Sequence, residues 1–275
     1  MLNRLEHTKV RKSEANHDTL IRIHDVVVGE GHFTVIAGPC ALENSEQALS
    51  AARAVEKAGA KILRGSLFKP RTSPYTFQGI GPEGVELFRL VKQETHLLIE
   101  TEILSPHHLD LLAEHADILR IGSRNMDNFD LLREVGKTKK PVILKRNMSA
   151  TLEEFLLAAE YILLEGNEQV MLCERGIRTF ETYTRNTLDI LAVPAVKELS
   201  HLPIIVDPSH SSGNSKLVAS ASKAALAAGA DGLIIEVHPH PEKALSDGQQ
   251  SLSLAEFESL MKELSELALV MRKKM

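Results

Sequence analysis

Four side chains that can bind a transition metal lie at or just beyond the ends of predicted strands. Cys40 ends a hydrophobic run, His210 closes a second run, and Glu236 lies near the end of a third. Asp247 follows shortly downstream in a turn-like segment. Taken singly, a Cys after a strand is more often a small buried apolar residue, but parallel α/β proteins carry their chemistry at this end of the strands. The sulfur, nitrogen and oxygen donors predict a site for a divalent metal ion such as Mn, Zn, Fe or Co, in preference to Mg or Ca.

Basic residues recur at the same ends of the predicted strands. They are Arg64, Lys69, Arg71, Arg124, Lys145 and Arg175. Most Lys and Arg side chains are simply solvated, yet a charge within a strand is costly to bury without a partner. Glu100, Glu102 and Glu174 could provide part of the compensating charge, and a phosphorylated, carboxylated ligand would provide it more fully. The pattern therefore predicts an anion-binding site opposite the metal ligands.

Eight short apolar runs, rich in Val, Ile and Leu, predict the elements that position these side chains. They are residues 33–39, 62–66, 97–102, 118–122, 142–145, 170–173, 204–207 and 233–237. Segments with helix N-cap signals, such as Thr151–Glu154 and Ser253–Glu256, lie between them. Eight strand-helix units in a chain of 275 residues favour a closed barrel over an open sheet, because strands buried on both faces are continuous apolar runs. The predicted fold is α/β, a (β/α)8 TIM barrel.

The segment before the first barrel strand predicts a short extension. Residues 20–28 alternate and Gly29–Gly31 follows as a turn, which predicts a hairpin strand leading into Phe33. We expect residues 1–32 to form an amino-terminal extension and hairpin that closes the base of the barrel, and residues 33–275 to form the barrel itself.

The composition argues against several other classes of protein. With two Cys residues, no CxxC motif and no secretory signal, the sequence predicts a reducing, cytoplasmic setting. No apolar run reaches the length of a membrane span, so we expect no membrane association. The net charge of -5 argues against nucleic acid as the main partner.

Seven short motifs, taken in order, resemble one enzyme family. They are Ile36–Cys40, Lys69–Thr72, Ile121–Arg124, Cys173–Phe180, Asp207–His210, Glu236–Pro239 and Leu245–Asp247. The sequence resembles the type I 3-deoxy-7-phosphoheptulonate (DAHP) synthases, and within them the compact microbial subgroup related to 3-deoxy-octulosonate 8-phosphate synthase. The resemblance runs from about Thr34 to the final helix.

The resemblance implies the first step of the shikimate pathway of aromatic amino acid biosynthesis. In this transferase reaction, phosphoenolpyruvate condenses with erythrose 4-phosphate to give the heptulosonate phosphate and inorganic phosphate. The resemblance also implies a homo-oligomer, dimer or tetramer, and a site made up as follows. Cys40, His210, Glu236 and Asp247 bind the metal; Arg64, Lys69, Ser123, Arg124, Lys145 and Arg175 bind phosphoenolpyruvate; the motif Lys69–Thr72 also binds the aldose phosphate, through Arg71 and Thr72.

The same chemistry implies catalytic roles for three residues. Lys145 or Lys69 would donate a proton to the developing alkoxide, and Glu102 would accept the proton of the attacking water. Two rival functions stay open at this point. The first is an octulosonate synthase that uses arabinose 5-phosphate, which Lys69–Thr72 disfavours because that family has Lys-Ala-Asn-Arg-Ser there. The second is an inactive metal-binding or regulatory barrel.

The resemblance also raises the question of feedback control, since many relatives carry an extra amino-terminal domain. Only about thirty residues precede the first predicted barrel strand, whereas a domain with its own core needs roughly fifty. We therefore expect the purified protein not to respond to aromatic amino acids.

Overall fold

The computed structural model describes residues 3–13 and 18–275. An antiparallel hairpin of β1 (Ile21–Ile23) and β2 (Val26–Val28) precedes the barrel. The predicted amino-terminal hairpin is confirmed, but its turn lies at His24 and Asp25 and not at Gly29–Gly31, so the run 20–28 contains both of its strands. The buried positions are odd-numbered in β1 and even-numbered in β2. Such a shift in an alternating pattern indicates a turn between two strands.

Eight parallel strands close into a barrel, which confirms the predicted (β/α)8 fold. Each runs through one of the eight predicted apolar segments. They are β3 (Thr34–Gly38), β4 (Ile62–Arg64), β5 (Leu98–Ile103), β6 (Ile118–Ile121), β7 (Val142–Lys145), β8 (Val170–Glu174), β9 (Ile204–Val206) and β10 (Gly232–Glu236). Each strand pairs with the next along the chain, and β10 closes the barrel by pairing with β3 over five residues, from Gly232 opposite Thr34 to Glu236 opposite Gly38.

Helices surround the barrel. In the described part of the chain they are α1 (Ser45–Lys57), α2 (Val85–Glu94), α3 (Leu109–His115), α4 (Phe129–Lys137), α5 (Leu152–Leu164), α6 (Ala192–Leu199), α7 (Pro208–Ser212), α8 (Ser215–Ala227) and α9 (Leu254–Val270). The two predicted capping boxes are present, Thr151 with Glu154 at α5 and Ser253 with Glu256 at α9. Among the described residues, no helix combines the length and apolar character needed to cross a membrane.

The amino-terminal end of the barrel is filled with apolar side chains. Each strand contributes an inward residue to this cluster, and β8 also contributes Cys173. The eight inward residues are Ile36, Ile62, Leu98, Ile118, Ile143, Met171, Ile205 and Ile234. The hairpin adds Ile21, Ile23, Val26 and Val28 to it, and Thr34 Oγ1 donates a hydrogen bond to the carbonyl of Val27 at 2.8 Å. The hairpin thus covers this end of the barrel, and the opposite end is left for chemistry.

Candidate metal centre and anion-binding cavity

The inward positions two residues beyond the apolar layer are mostly charged. Successive side chains of a strand point to opposite faces, so residues i and i+2 share the inward face. The buried residues at this second level are Arg64, Glu100, Arg120, Lys145, Cys173, Asp207 and Glu236, with Glu102 one step further along β5. The strands therefore change from apolar to ionic within about 6–7 Å of their length.

The four predicted metal ligands come together at this end of the barrel. Cys40, His210, Glu236 and Asp247 each offer one ligand atom, and these atoms lie within 4.8 Å of one another. Cys40 Sγ lies 3.1 Å from Asp247 Oδ2, and His210 Nε2 lies 3.3 Å from Glu236 Oε1. Residues some two hundred positions apart in the chain thus form one compact donor set.

Neighbouring side chains orient two of these four residues, His210 and Glu236. His210 Nδ1 lies 2.8 Å from Asp207 Oδ2, so the ring donates from Nδ1 and turns Nε2 toward the other ligands. Arg64 Nη2 and Gln250 Nε2 donate to the two oxygens of Glu236, at 3.0 and 2.7 Å. Each bond fixes one ligand in a single orientation.

The ionisation of the donor set suits a borderline divalent cation. Burial, partly opposed by Asp207, lowers the pKa of His210 to about 4, so its ring is neutral at physiological pH. Burial and then the charge of Glu236 raise the pKa of Cys40 to about 12, so the thiol must lose its proton when a metal binds. A thiolate, a neutral imidazole and two carboxylates are donors that fit Zn, Mn, Fe or Co.

A cavity opens beside the metal ligands, and cationic side chains dominate its walls. Its lining includes Lys69, Arg120, Arg124, Lys145, Arg175, Arg178 and Arg185, together with Glu102, Gly122, Ser123, Asn186, His210 and Asp247. Of the residues predicted from the sequence, Lys69, Glu102, Ser123, Arg124, Lys145 and Arg175 therefore share one cavity with His210 and Asp247.

Several of these cations are neutralised within the protein. Lys145 Nζ forms an ion pair with Asp207, and Arg185 Nη1 lies 3.5 Å from Asp247 Oδ1. Lys69 Nζ lies 3.6 Å from Glu102 Oε2 and donates to the carbonyl of Cys40 at 3.4 Å. These contacts place the three cations at the edge of the metal site.

Other cations lack a carboxylate partner in the described part of the chain. Arg124 Nη1 donates to the carbonyl of Pro70 at 3.3 Å, and Arg175 Nη2 donates to the carbonyl of His210 at 3.2 Å. Arg175 Nη1 is buried and has no hydrogen-bond partner. A buried donor without a partner is costly, which makes Arg175 a candidate to bind an anion that the protein itself does not supply.

Arg64, Arg71 and Thr72 are not among the residues that line the cavity. Arg64 is fully buried beneath it and bonds to Glu236. Arg71 lies at the rim, where Nη1 donates to Ser246 Oγ at 2.7 Å, and Thr72 is exposed. The sequence correctly placed Arg64 on β4 and Arg71 and Thr72 in the loop after it. It could not predict how deep in the barrel the side chain of Arg64 lies.

Reasoning from the sequence missed other residues of the site. Arg120, Arg178, Arg185 and Asn186 line the cavity, and Asp207 orients both His210 and Lys145. Arg120 had a detectable signal, because it follows the inward residue Ile118 by two positions. Arg178 and Arg185 lie in the segment between β8 and α6, where no periodic pattern identifies which side chains face inward.

Glu102 lines the cavity, and among the described residues only its Oε2 has a hydrogen-bond partner. Its Oε2 accepts from Arg120 Nη1 at 3.2 Å, whereas Oε1 accepts no hydrogen bond from the described residues and lies against Gly122. A Cβ at position 122 would overlap Oε1. Gly122 has φ -68 and ψ 157, values that any residue adopts, so this glycine provides space for the carboxylate.

The fold and the site together define a class of protein, a (β/α)8 barrel with a group able to hold a divalent metal beside a cationic cavity. The sequence matches the model of the DAHP synthetase I family over residues 8–271. The chain belongs to this family.

Individual relatives agree with the family match. Phospho-2-dehydro-3-deoxyheptonate aldolase of Thermotoga maritima is 53% identical over 251 residues, which are 91% of this chain and 74% of the relative. A crystal structure of phospho-2-dehydro-3-deoxyheptonate aldolase from T. maritima superposes on this chain with a TM-score of 0.95 and 50% sequence identity. The match covers 97% of this chain and 78% of the T. maritima chain. A truncated form of 3-deoxy-D-arabino-heptulosonate 7-phosphate synthase from T. maritima gives 0.90 at 48% identity, covering 96% of this chain and 97% of that one.

Relatives named for the rival activity, octulosonate phosphate synthesis, have lower sequence identity to this chain. A 2-dehydro-3-deoxyphosphooctonate aldolase of Syntrophotalea carbinolica is 33% identical over 266 residues, which are 90% of this chain and 95% of the relative. The lower identity agrees with the motif Lys69–Thr72 in favouring the heptulosonate synthases.

Proposed function

We propose that this chain condenses phosphoenolpyruvate with erythrose 4-phosphate, giving 3-deoxy-D-arabino-heptulosonate 7-phosphate and inorganic phosphate. The observation that carries the proposal is the cavity in which uncompensated cations face a compact set of metal ligands. Membership of the DAHP synthetase I family supports the same reaction. In this proposal residues 33–275 are the catalytic barrel, and the protein acts in the cytoplasm as a homo-oligomer, dimer or tetramer.

Phosphoenolpyruvate binds to the cationic wall. Arg124 and Arg175 provide guanidinium groups that bind phosphate or carboxylate oxygens in pairs. Ser123 lies beside Arg124 at the start of the short 3-10 helix Ser123–Asn125. Lys69 and Lys145 complete the site, and Arg64 acts from below by fixing Glu236.

Erythrose 4-phosphate binds toward the metal ligands. Its phosphate lies at the rim beside Arg71 and Thr72, on the same side as Asp247, the neighbour of Ser246. Its aldehyde then points inward to Cys40, His210, Glu236 and Asp247, the residues that would hold the metal. A divalent metal bound there supplies Lewis acidity, which makes the aldehyde carbon more electrophilic.

Proton transfers are carried by residues of this chain. The methylene carbon of phosphoenolpyruvate attacks the aldehyde carbon, and Lys145 or Lys69 donates a proton to the developing alkoxide. A water attacks the oxocarbenium-like enol carbon and loses a proton to Glu102. The adduct then loses phosphate by cleavage of its carbon-oxygen bond, which leaves the ketone, and Arg124 and Arg175 stabilise the departing charge.

Phosphate release tests this function directly. The protein is assayed with phosphoenolpyruvate plus erythrose 4-phosphate, or plus arabinose 5-phosphate, before and after treatment with a chelator. We expect turnover with the four-carbon aldose only, loss of turnover after chelation, and recovery with Mn, Co or Zn.

The same assay separates the rivals. Preference for arabinose 5-phosphate would indicate an octulosonate synthase, and no turnover under any condition would indicate an inactive barrel. Full turnover by a metal-free Cys40→Ala variant would contradict the metal requirement, since thiolate is the softest ligand of the set.

A further inference from the structure

All three guanidinium nitrogens of Arg120 donate hydrogen bonds to protein oxygens. Nε donates to Glu100 Oε1 at 2.6 Å, Nη1 to Glu102 Oε2 at 3.2 Å, and Nη2 to Ser66 Oγ at 3.0 Å. The side chain is 2% exposed, although it contributes to the floor of the cavity. Arg120 therefore differs from Arg124 and Arg175, because it forms ion pairs with two buried carboxylates, whereas those two have no carboxylate partner among the described residues.

These bonds orient Glu102. Arg120 holds Oε2 from one side, and Lys69 Nζ lies 3.6 Å from the same oxygen. The space at Gly122 admits Oε1 at the cavity wall. A Glu side chain has three rotatable bonds and would otherwise sample several rotamers, so the fixed Oε2 determines where Oε1 points.

We propose that Arg120 is a positioning residue, which holds Glu102 so that Oε1 faces the enol carbon of the bound substrate. This inference rests on the proposed function. When the oxygen of the attacking water forms its bond to the enol carbon, one proton of that water passes to Oε1, and the lone pair of Oε1 becomes the new O–H bond. Arg120 touches no reacting atom, and its effect is exerted through Glu102.

Glu100 completes the arrangement by fixing Arg120 from the adjacent strand. The pair is wholly inside the barrel, with side-chain exposures of 2% and 0%, and a buried Arg needs such a partner. Burial by itself would raise the pKa of Glu102, but Arg120, ahead of Lys69, offsets burial and holds that pKa at about 2. Substrate anions raise the pKa again when they bind, because like charges disfavour ionisation, and so make Glu102 a better proton acceptor.

A double-mutant cycle tests whether Arg120 acts through Glu102. We expect Arg120→Gln to lower kcat on the order of a hundredfold, the scale of a mispositioned general base, with the KM of both substrates almost unchanged. The Glu102→Gln, Arg120→Gln double variant should be no slower than Glu102→Gln alone. Two effects that multiply would show that Arg120 acts independently. A raised KM for phosphoenolpyruvate at unchanged kcat would show that Arg120 binds the substrate.

A second variant separates positioning from structural support. Glu100→Gln combined with Arg120→Gln removes both charges of the buried pair, so it should recover the unfolding temperature lost by Arg120→Gln without recovering kcat. Recovery of kcat together with the unfolding temperature would overturn the proposal. This double variant also provides a folded protein if Arg120→Gln alone does not fold.

The control lies at the opposite end of the barrel. Lys273→Gln removes a largely buried partner of Asp231, 3.0 Å away, and should lower the unfolding temperature while leaving kcat and KM at their wild-type values. Wild-type protein is assayed in parallel, so that a failure of the proposed function can be distinguished from a failure of the proposed positioning role of Arg120. No turnover by wild type with erythrose 4-phosphate refutes the proposed function, whereas active wild type with an unaltered Arg120→Gln refutes only the positioning role.

Discussion

The two ends of the barrel interior are formed by the same strands but differ completely in chemistry. At the amino-terminal end every strand contributes an apolar side chain, and the β1–β2 hairpin packs over them. Two residues further along, the inward side chains are mostly charged, as Ile143 and Lys145 on β7 illustrate. In most strands the apolar and charged side chains are thus separated by level; the exceptions are β3, which has Gly38 at the second level, and β8, which has Cys173 there.

The energetics of the two levels differ as well. The apolar level is stabilised by removal of its side chains from water. At the charged level, desolvation opposes the attraction within each ion pair, so pairs such as Arg64 with Glu236 contribute little net stability. Substitution of one member of such a pair nevertheless destabilises the protein, because the other member is left as an unpaired buried charge. The charged level is therefore retained for its chemistry.

The largest contrast is expected between neighbouring inward positions of β7. Lys145→Ala should lower kcat on the order of a thousandfold, since under the proposed function it removes a proton donor and a substrate contact. Ile143→Val should cost about 1 kcal/mol of unfolding free energy and leave kcat unchanged. Steady-state kinetics and urea unfolding of the two variants measure both effects. A loss of activity in Ile143→Val comparable with that of Lys145→Ala would show that the levels are not separate.

Acid should weaken the charged level through Glu102. Its pKa of about 2 in the folded protein lies below its ordinary value of 4.5, so the unfolded chain takes up the proton first as the pH falls. The ionised carboxylate of Glu102 therefore stabilises the folded protein by about 3 kcal/mol above pH 4.5, and this contribution is lost as the pH falls toward 2.

The difference in unfolding free energy between wild type and Glu102→Gln should therefore shrink as the pH is lowered from 6 to 3. Glu134→Gln is the matched control, because Glu134 pairs with Lys137 on the exposed surface of α4 and such pairs contribute little. A difference that stayed constant with pH would mean that Glu102 is not held ionised by Arg120 and Lys69.

The smallest effect is expected at the hairpin. Ile21→Val removes one methylene group from the apolar level and should cost about 1 kcal/mol, with kcat per folded molecule unchanged. Arg22→Gln, on the outer face of the same strand, should change the unfolding free energy by less than about 0.5 kcal/mol. Equal effects of the two substitutions would indicate that the hairpin does not pack on the barrel interior in solution.

The sequence predicted the strands and the four candidate metal ligands that the structure brings together, because both leave local signals. Each barrel strand is an apolar run, and Cys40, His210 and Glu236 each lie at or just beyond the end of such a run. Glu100 and Glu102 were expected to provide internal charge, but their partner Arg120 was not predicted, because the pairing depends on which residues of neighbouring strands share the inward face. The register of β5 and β6, with Glu102 opposite Arg120, is fixed only when the barrel closes.

The loop residues that line the cavity could not be predicted from the sequence either. Arg178 is held by a backbone hydrogen bond to the carbonyl of Met148, and Arg185 pairs with Asp247 across more than sixty residues of sequence. Both contacts join loops that follow different strands, and loop sequence alone does not specify such contacts.

The space at Gly122 has a consequence for how this sequence can diverge. Any side chain at position 122 would displace the carboxylate of Glu102, although the backbone there would accept an ordinary residue. Substitution of Gly122 is therefore neutral only in a lineage that has already replaced Glu102, and the order of the two changes matters. Among descendants of this protein, the two positions should vary together or not at all, even though they lie on different strands.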